Sequence, residues 1–319
     1  MKYVVAAFCF CLLVWSCSEN GEEDCLEVQW YFDEDKDGLG RPDSTVLQCE
    51  QPDGFVDNGL DEDDEPFVEL PSTKVPFIFT SGVLKPFYLD QTDAPYGFWF
   101  YAPAGYDSMD TQKHPLLIHL HGIGERGNSA INPQGMNIIL WNGAPRLIKE
   151  DRWADPHSMI VVAPQASLFW KADELHEFIE FLVEKLHIDE TRIYMTGLSF
   201  GGNGTFNYVA QMGSEAYVAA IAPIAGWGDT SSAAQYMEVP VWAFHGDADS
   251  VVAVQSSIDM IEAINAASPE VAAKLTIYPG VTHDSWARTY DGTGMGSESP
   301  DYDPFNMSLW DWMYQYTKE

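Results

Sequence analysis

Ser199 sits in Gly197-Leu198-Ser199-Phe200-Gly201, between a strand-like run over Arg192–Thr196 and a Gly-rich helical run from Phe200 to Gln211. A strand, a turn too tight for side chains at its flanks, and a helix are what a nucleophile elbow needs, because that turn lifts the hydroxyl above a sheet. A serine hydroxyl attacks only when a base takes its proton, and the base needs an acid to orient it. In the chain order Ser, Asp, His, the candidates lie on two later loops. Phe244-His245-Gly246-Asp247-Ala248-Asp249 ends the strand-like Val239–Phe244, and Thr282-His283-Asp284-Ser285-Trp286 follows Lys274–Tyr278. His283 reads as the base and Asp249 as its orienting acid. Asp247 is the rival acid, or else it ties down its own turn. His245, at a strand end, reads as structural rather than as a base.

Acyl transfer through a tetrahedral intermediate also needs two N–H donors for the developing oxyanion. One is expected from the backbone of Phe200. The other is expected from the loop His121-Gly122-Ile123-Gly124, with Ile123 preferred and Gly124 the alternative. Glu125 and Arg126 read equally as a buried pair bracing that loop or as a surface salt bridge. Trp170, Trp227 and Trp286 fall on loops at the same predicted edge, where they would either line an aromatic cleft or pack into the core. Such a triad needs no cofactor.

Positioning these groups requires alternating strands and helices. Strands are expected at Phe87–Asp90, Gly97–Ala102, Leu116–Leu120, Met159–Ala163, Arg192–Thr196, Val218–Pro223, Val239–Phe244 and Lys274–Tyr278. Helices are expected at Asp173–Leu186, Phe200–Gln211, Ser256–Ala267 and Met307–Tyr316, with an interrupted one at Ile138–Lys149. Short apolar strands alternating with helices predict an α/β domain, a mostly parallel sheet with helices on both faces. Its catalytic loops would lie at the carboxyl ends of the strands.

The 319 residues carry 49 acidic and 16 basic side chains, a formal charge of −33. Such a surface repels phosphate backbones and excludes nucleic acid as a partner. Hydrophobic residues at 46% exclude global disorder. The charge is uneven: residues 18–70 hold 19 Asp/Glu against 2 Lys/Arg, and residues 71–319 hold 30 against 13. A short acidic module over 18–70 therefore precedes a larger domain over 71–319.

Residues 1–17 read as an export signal: Lys2, an apolar run from Tyr3 to Trp15, then Ser16-Cys17. Val14-Trp15-Ser16-Cys17 resembles a bacterial lipobox, which implies lipidation of Cys17 and a place in the cell envelope, as an outer-membrane lipoprotein or at the cell surface. Removing the signal leaves Cys25 and Cys49, candidates for a disulfide in an exported protein, where closure would stabilise by about 3 kcal/mol. Asp33, Asp35 and Asp37, with Gly38, place carboxylates at alternating positions before a sharp turn, the start of a calcium loop. Ser44 stands where an EF-hand would have its closing Glu. Asp61 and Asp63, within an acid cluster running to Glu65, would complete the shell. The stretch from Trp30 to Asp64 resembles a metal-binding repeat of secreted bacterial proteins, which implies structural Ca2+ in a spacer rather than in catalysis.

The large domain resembles α/β-hydrolase esterases of the phospholipase/carboxylesterase and dienelactone-hydrolase-like set, including polyhydroxybutyrate-depolymerase-like and feruloyl-esterase-like proteins. The resemblance rests on the segment from His119 to Gly127, Asn142 to Ile148, Pro164-Gln165 with Trp170, Gly197 to Gly202, His245 to Asp249, and His283 to Trp286. It implies an α/β-hydrolase fold and a triad of Ser199, Asp249 and His283. Dienelactone hydrolases proper use a Cys nucleophile, so their own activity is not implied. The expectation is an exported serine esterase acting on small or polysaccharide-linked esters, of acetyl or feruloyl type, and held at the membrane by a lipid anchor. A serine peptidase on the same fold and a calcium-dependent adhesion lipoprotein are the alternatives.

Overall fold

The computed structural model describes residues 28–33, 40–59, 74–107, 111–154 and 156–318. The chain divides into two units, Met1–Pro66 and Phe67–Glu319, four residues earlier than the charge shift suggests.

In the first unit, β1 (Val28–Phe32), β2 (Thr45–Gln48) and β3 (Phe55–Val56) form an antiparallel sheet in the order β2-β1-β3. No strand is expected there from sequence. The runs are only 5, 4 and 2 residues long, so no alternation develops to announce them. Cross-strand contacts hold them: Trp30 Nε1 donates to Gln48 O at 3.0 Å, and the rings of Phe32 and Phe55 meet edge to face. Arg41 N donates to Phe32 O at 2.8 Å, closing the base of the acidic loop, and Asp33 beside it is buried. The other expected calcium ligands, Asp35, Asp37, Asp61 and Asp63, lie outside the described residues, as do Cys17 and Cys25. Cys49 is disulfide-bonded. Among the described residues no helix is long and apolar enough to cross a membrane.

The second unit is built on eight strands. They are β4 (Lys85–Phe87), β5 (Gly97–Tyr101), β6 (His114–Leu120), β7 (Ile160–Gln165), β8 (Ile188–Leu198), β9 (Ala220–Ile224), β10 (Trp242–Gly246) and β11 (Lys274–Tyr278). Their order is β11-β10-β9-β8-β6-β7-β5-β4. The pairs β4–β5 and β5–β7 are antiparallel and the rest are parallel. The expected mostly parallel sheet is therefore present, and every residue of β6, β7, β9 and β10 is buried, as a sheet covered on both faces demands.

The helices are α1 (Gly143–Lys149), α2 (Ala172–Lys185), α3 (Phe200–Met212), α4 (Gln255–Ala266), α5 (Trp286–Tyr290) and α6 (Leu309–Met313). They form two layers. Leu116, Ile118 and Leu120 of β6 pack with Phe178 of α2, Phe206 of α3 and Ile261 of α4. Leu117, pointing the other way, packs with Leu147 of α1, Tyr290 of α5 and Trp312 of α6. In α2, Leu175, Phe178, Ile179 and Leu182 make one buried stripe at helical spacing, with Asp173 and Glu174 in the first turn and Lys185 in the last, each favourable to the helix dipole. The interrupted helix at Ile138–Lys149 is two elements, a 3-10 segment Gln134–Trp141 and α1, which restarts at Gly143 with φ +66°.

Candidate active site

Ser199 occupies the turn between β8 and α3 with φ 52° and ψ −114°, a conformation that L residues adopt only under constraint. The glycines around it are required by close approach. A Cβ on Gly201 would run into the carbonyl of Leu120, and one on Gly197 into the carbonyl of Gly201. Ser199 N donates to Ile224 O at 2.8 Å, which anchors the turn to β9. The strained turn thus holds the Oγ above the sheet, at the positive end of α3.

Two strand ends bring the remaining groups of the triad to this Oγ. His283, on the loop after β11, has Nε2 2.8 Å from Ser199 Oγ and Nδ1 2.7 Å from Asp249 Oδ2. Asp249, on the loop after β10, is buried. Its Oδ1 accepts from Val251 N at 2.8 Å and Val252 N at 2.9 Å, so its own turn aims the other oxygen at His283. Burial disfavours the charged carboxylate, but hydrogen bonds from His283, Val252 and Val251 outweigh it and hold the pKa below the usual carboxylate range. Asp247 is not part of this chain. Its Oδ1 accepts from Gly280 N, which fastens the loop that carries His283.

Both expected oxyanion donors stand at first positions of helical turns, where no preceding turn supplies a carbonyl for the N–H. Phe200 begins α3, and Ile123 begins a 3-10 turn over Ile123–Glu125 after β6. That turn is held from beneath. Glu125, buried, accepts from Gly122 N at 2.7 Å and from Asn142 Nδ2 at 2.9 Å. Burial pushes its pKa up to about 7, against the two hydrogen bonds that favour the carboxylate. Neither expectation for Glu125 and Arg126 holds: Arg126 is exposed and its Nε donates to Ile123 O at 3.0 Å, while Glu125 faces inward to Asn142. His121 adds a second support. Its Nε2 accepts from Ala166 N at 3.0 Å, which leaves Nδ1–H to donate to Gly122 O at 2.7 Å. Burial lowers its pKa to about 4, so it is neutral at pH 7.

The three tryptophans separate. Trp170 does not line a cleft; it is buried, packs against His121 with ring centroids 4.7 Å apart, and donates Nε1–H to His121 O at 3.3 Å. Its indole fills the space left by Gly204 of α3 and caps the end of β6, a core role that fully uses its one donor. Trp227 is 36% exposed on the loop after β9, its carbonyl held by Asn203 Nδ2. Trp286 meets the ring of His283 edge to face at 5.0 Å and donates Nε1–H to Asn142 Oδ1 at 3.0 Å. Asn142 thus links Trp286 to Glu125, a connection that reading the sequence missed.

Two cavities are lined by residues outside the triad. One of about 240 Å3 is lined by Asn142, Arg146, Arg152, Trp286 and Tyr290. The other, about 190 Å3, is lined by Tyr96, Gln165, Leu168 and Phe169 among others, and the ring of Phe169 lies 6.3 Å from that of Phe200.

Residues 164–304 match the Dienelactone hydrolase family. That stretch contains Ser199, Asp249 and His283 but not the Ile123 loop. A bifunctional acetylxylan esterase/xylanase from Neocallimastix patriciarum is 23% identical over 150 residues, 44% of this chain and 20% of that protein. The chain thus aligns with only about a fifth of that relative. A thermostable esterase of known structure superposes with a TM-score of 0.54 at 24% identity, over 74% of this chain and 63% of that one. A feruloyl esterase module from Clostridium thermocellum complexed with sinapinate gives a TM-score of 0.49 at 18% identity, over 71% of this chain and 93% of that one. The fold is α/β-hydrolase-like.

Proposed function

We propose that the protein is a serine esterase, a carboxylic ester hydrolase working through an acyl-enzyme. The observation that carries this is the unbroken chain Ser199 Oγ, His283 Nε2, His283 Nδ1, Asp249 Oδ2, with links of 2.8 and 2.7 Å, mounted on a strained elbow. The match of residues 164–304 to the Dienelactone hydrolase family, and relatives described as esterases, support the same reading.

In this mechanism Ser199 Oγ bonds to the ester carbonyl carbon as its proton passes to His283 Nε2. The carbonyl electrons move onto oxygen, which the N–H groups of Phe200 and Ile123 hold. The imidazolium is stabilised by ionised Asp249 and gives its proton to the departing alkoxide oxygen, leaving the acyl group on Ser199. Water then bonds through its oxygen to the acyl carbon as His283 takes its proton; the carbon–Oγ bond breaks, His283 returns the proton to Ser199 Oγ, and the acid leaves. No step uses a metal or cofactor. Calcium belongs to the acidic module, through Asp33, Asp35, Asp37, Asp61 and Asp63, as a structural spacer. The substrates we infer are acetyl or feruloyl esters on polysaccharides, met outside the cell by a protein exported through residues 1–17 and anchored at Cys17. The ring of Trp227 and the cavity beside Trp286 give sugar or phenolic rings surfaces to stack on. The disulfide of Cys49 fits an oxidising compartment.

Hydrolysis of acetylated, feruloylated and methyl-esterified polysaccharides, run beside a set of chromogenic peptides, tests this reading. Release of acid from one or more esters with none from peptides is expected. Peptide cleavage without ester cleavage would refute it.

A further inference from the structure

His245 takes no part in the chemistry above, yet it is fully buried against the triad acid. It is the penultimate residue of β10, four residues before Asp249, and its Nε2 lies 3.1 Å from Asp249 Oδ2. That is the same oxygen that accepts from His283 Nδ1. His245 Nε2 also lies 3.0 Å from Val252 O. A nitrogen facing two acceptors carries the proton, so Nδ1 is the acceptor, and Ser257 Oγ of α4 stands 2.7 Å from it to donate. Ser257 has one O–H, and although its Oγ also lies 3.2 Å from Gly226 O, on the loop after β9, the nearer and unprotonated Nδ1 takes that proton. Two histidines therefore share one carboxylate oxygen, approaching it from different elements.

Resting on the triad reading, we propose that His245 is a positioning residue of the catalytic acid: its neutral Nε2–H donates to Asp249 Oδ2, fixes the carboxylate's orientation and moderates its basicity towards His283, while Ser257 locks the tautomer that makes this possible. The titratable groups facing His245 are Asp249 and His283. Burial keeps its pKa below the ordinary histidine value, against the attraction of Asp249, so it donates without adding a charge that would oppose the imidazolium formed on His283. With His245 in place, Asp249 accepts four hydrogen bonds: from Val251 N, Val252 N, His283 and His245. Removing one donor leaves the charge less dispersed and the carboxylate more basic. A more basic Asp249 holds His283 protonated to higher pH, which silences the base over a wider acidic range.

The test is the pH profile of kcat/KM on p-nitrophenyl acetate for the wild type, His245→Leu, His245→Gln and Ser257→Ala, with active sites counted by a fluorophosphonate. His245→Leu should lower kcat by about tenfold or more, as expected for losing a hydrogen bond to a charged group, with KM within about twofold. Its acid limb should move up by at least about 0.5 pH unit. His245→Gln, whose Nε2–H reaches to the same point, should restore most of kcat and the wild-type limb. Ser257→Ala should move the limb in the same direction by less. A folded His245→Leu with wild-type kcat and limb would overturn the proposal, and so would a His245→Gln as impaired as the Leu variant, which would mean that His245 only fills space. Should the Leu variant not fold, an unmoved limb in Ser257→Ala overturns it instead. Turnover surviving in Ser199→Ala would strike the triad reading itself, a separate outcome.

Discussion

Glu125→Gln should slow the enzyme only where the wild-type carboxylate is ionised. The hydrogen bonds around Glu125 all run one way. Trp286 Nε1–H donates to Asn142 Oδ1, Asn142 Nδ2–H to Glu125 Oε1, and Gly122 N–H to Glu125 Oε2. A carboxylate accepts from both sides. An amide presents a donor on one side, so Gln must face either Gly122 N–H or Asn142 Nδ2–H with its own N–H, and Asn142 cannot turn over without setting its NH2 against the indole N–H. One link to a charged group is lost, about 1.5–3 kcal/mol, and either link is part of what holds the Ile123 turn. If that loss falls on the oxyanion donor, kcat drops by about tenfold to a hundredfold with little change in KM. The pKa of about 7 sets the pH range. Well above it the wild type is ionised and the full ratio appears. Well below it the wild type is itself protonated, presents one O–H in place of an acceptor, and approaches the variant.

Stability runs the opposite way. The folded pKa of Glu125 lies above its ordinary value of 4.5, so between about 4.5 and about 7 the folded chain holds a proton that the unfolded chain has released. Stability is therefore lost as pH rises through that window, by up to about 3 kcal/mol from this one group, and the Gln variant should lack that slope. The assay is kcat for a p-nitrophenyl ester from pH 5 to 9 on both proteins, with denaturant unfolding at the same values. A ratio of wild type to variant that does not change with pH, or a variant as fast as the wild type at pH 9, would refute the reasoning.

Three further outcomes follow from the geometry. Asp249→Asn should cut turnover by about 10^4, since His283 loses the acceptor that fixes its tautomer, whereas Asp247→Asn, which weakens only the tie to Gly280 N, should cost less than about tenfold; steady-state rates that reverse this order would exchange the two assignments. Trp170→Ala should destabilise by about 3–5 kcal/mol in denaturant unfolding, because a buried indole and its bond to His121 are removed, and a loss under about 1 kcal/mol would contradict its core role. Chelation with EDTA should change limited proteolysis within residues 18–70 and leave ester turnover intact, since calcium stabilises only the unit that binds it; lost turnover would contradict the spacer reading.

The triad was legible because each member sits in a short local pattern that follows a strand. The Gly-flanked Ser199, the Asp249 turn and the His283 loop need no knowledge of distant partners to be placed at one sheet edge. What escaped was whatever depends on distant pairs. Asn142 joins Glu125, 17 residues away, to Trp286, 144 residues away, and nothing near Asn142 in the chain announces either partner. Trp170 read equally as a cleft wall or as core, because its loop follows β7; its one N–H finds an acceptor 49 residues earlier, with the ring buried. His245 read as structural, and its contact with Asp249 requires the loop to fold back over four residues, which spacing alone does not dictate. The long β8 was read at only its apolar half, since Asp189, Glu190 and Thr191 interrupt the pattern at its start.

Labelling with a fluorophosphonate, read by peptide mass mapping and paired with turnover of Ser199→Ala, tests whether Ser199 is the nucleophile. One modified residue, Ser199, is expected, with loss of ester hydrolysis on labelling and an Ala variant that folds like the wild type but has lost about 10^4-fold or more of its activity. Label on another serine, or wild-type turnover in the Ala variant, would contradict it.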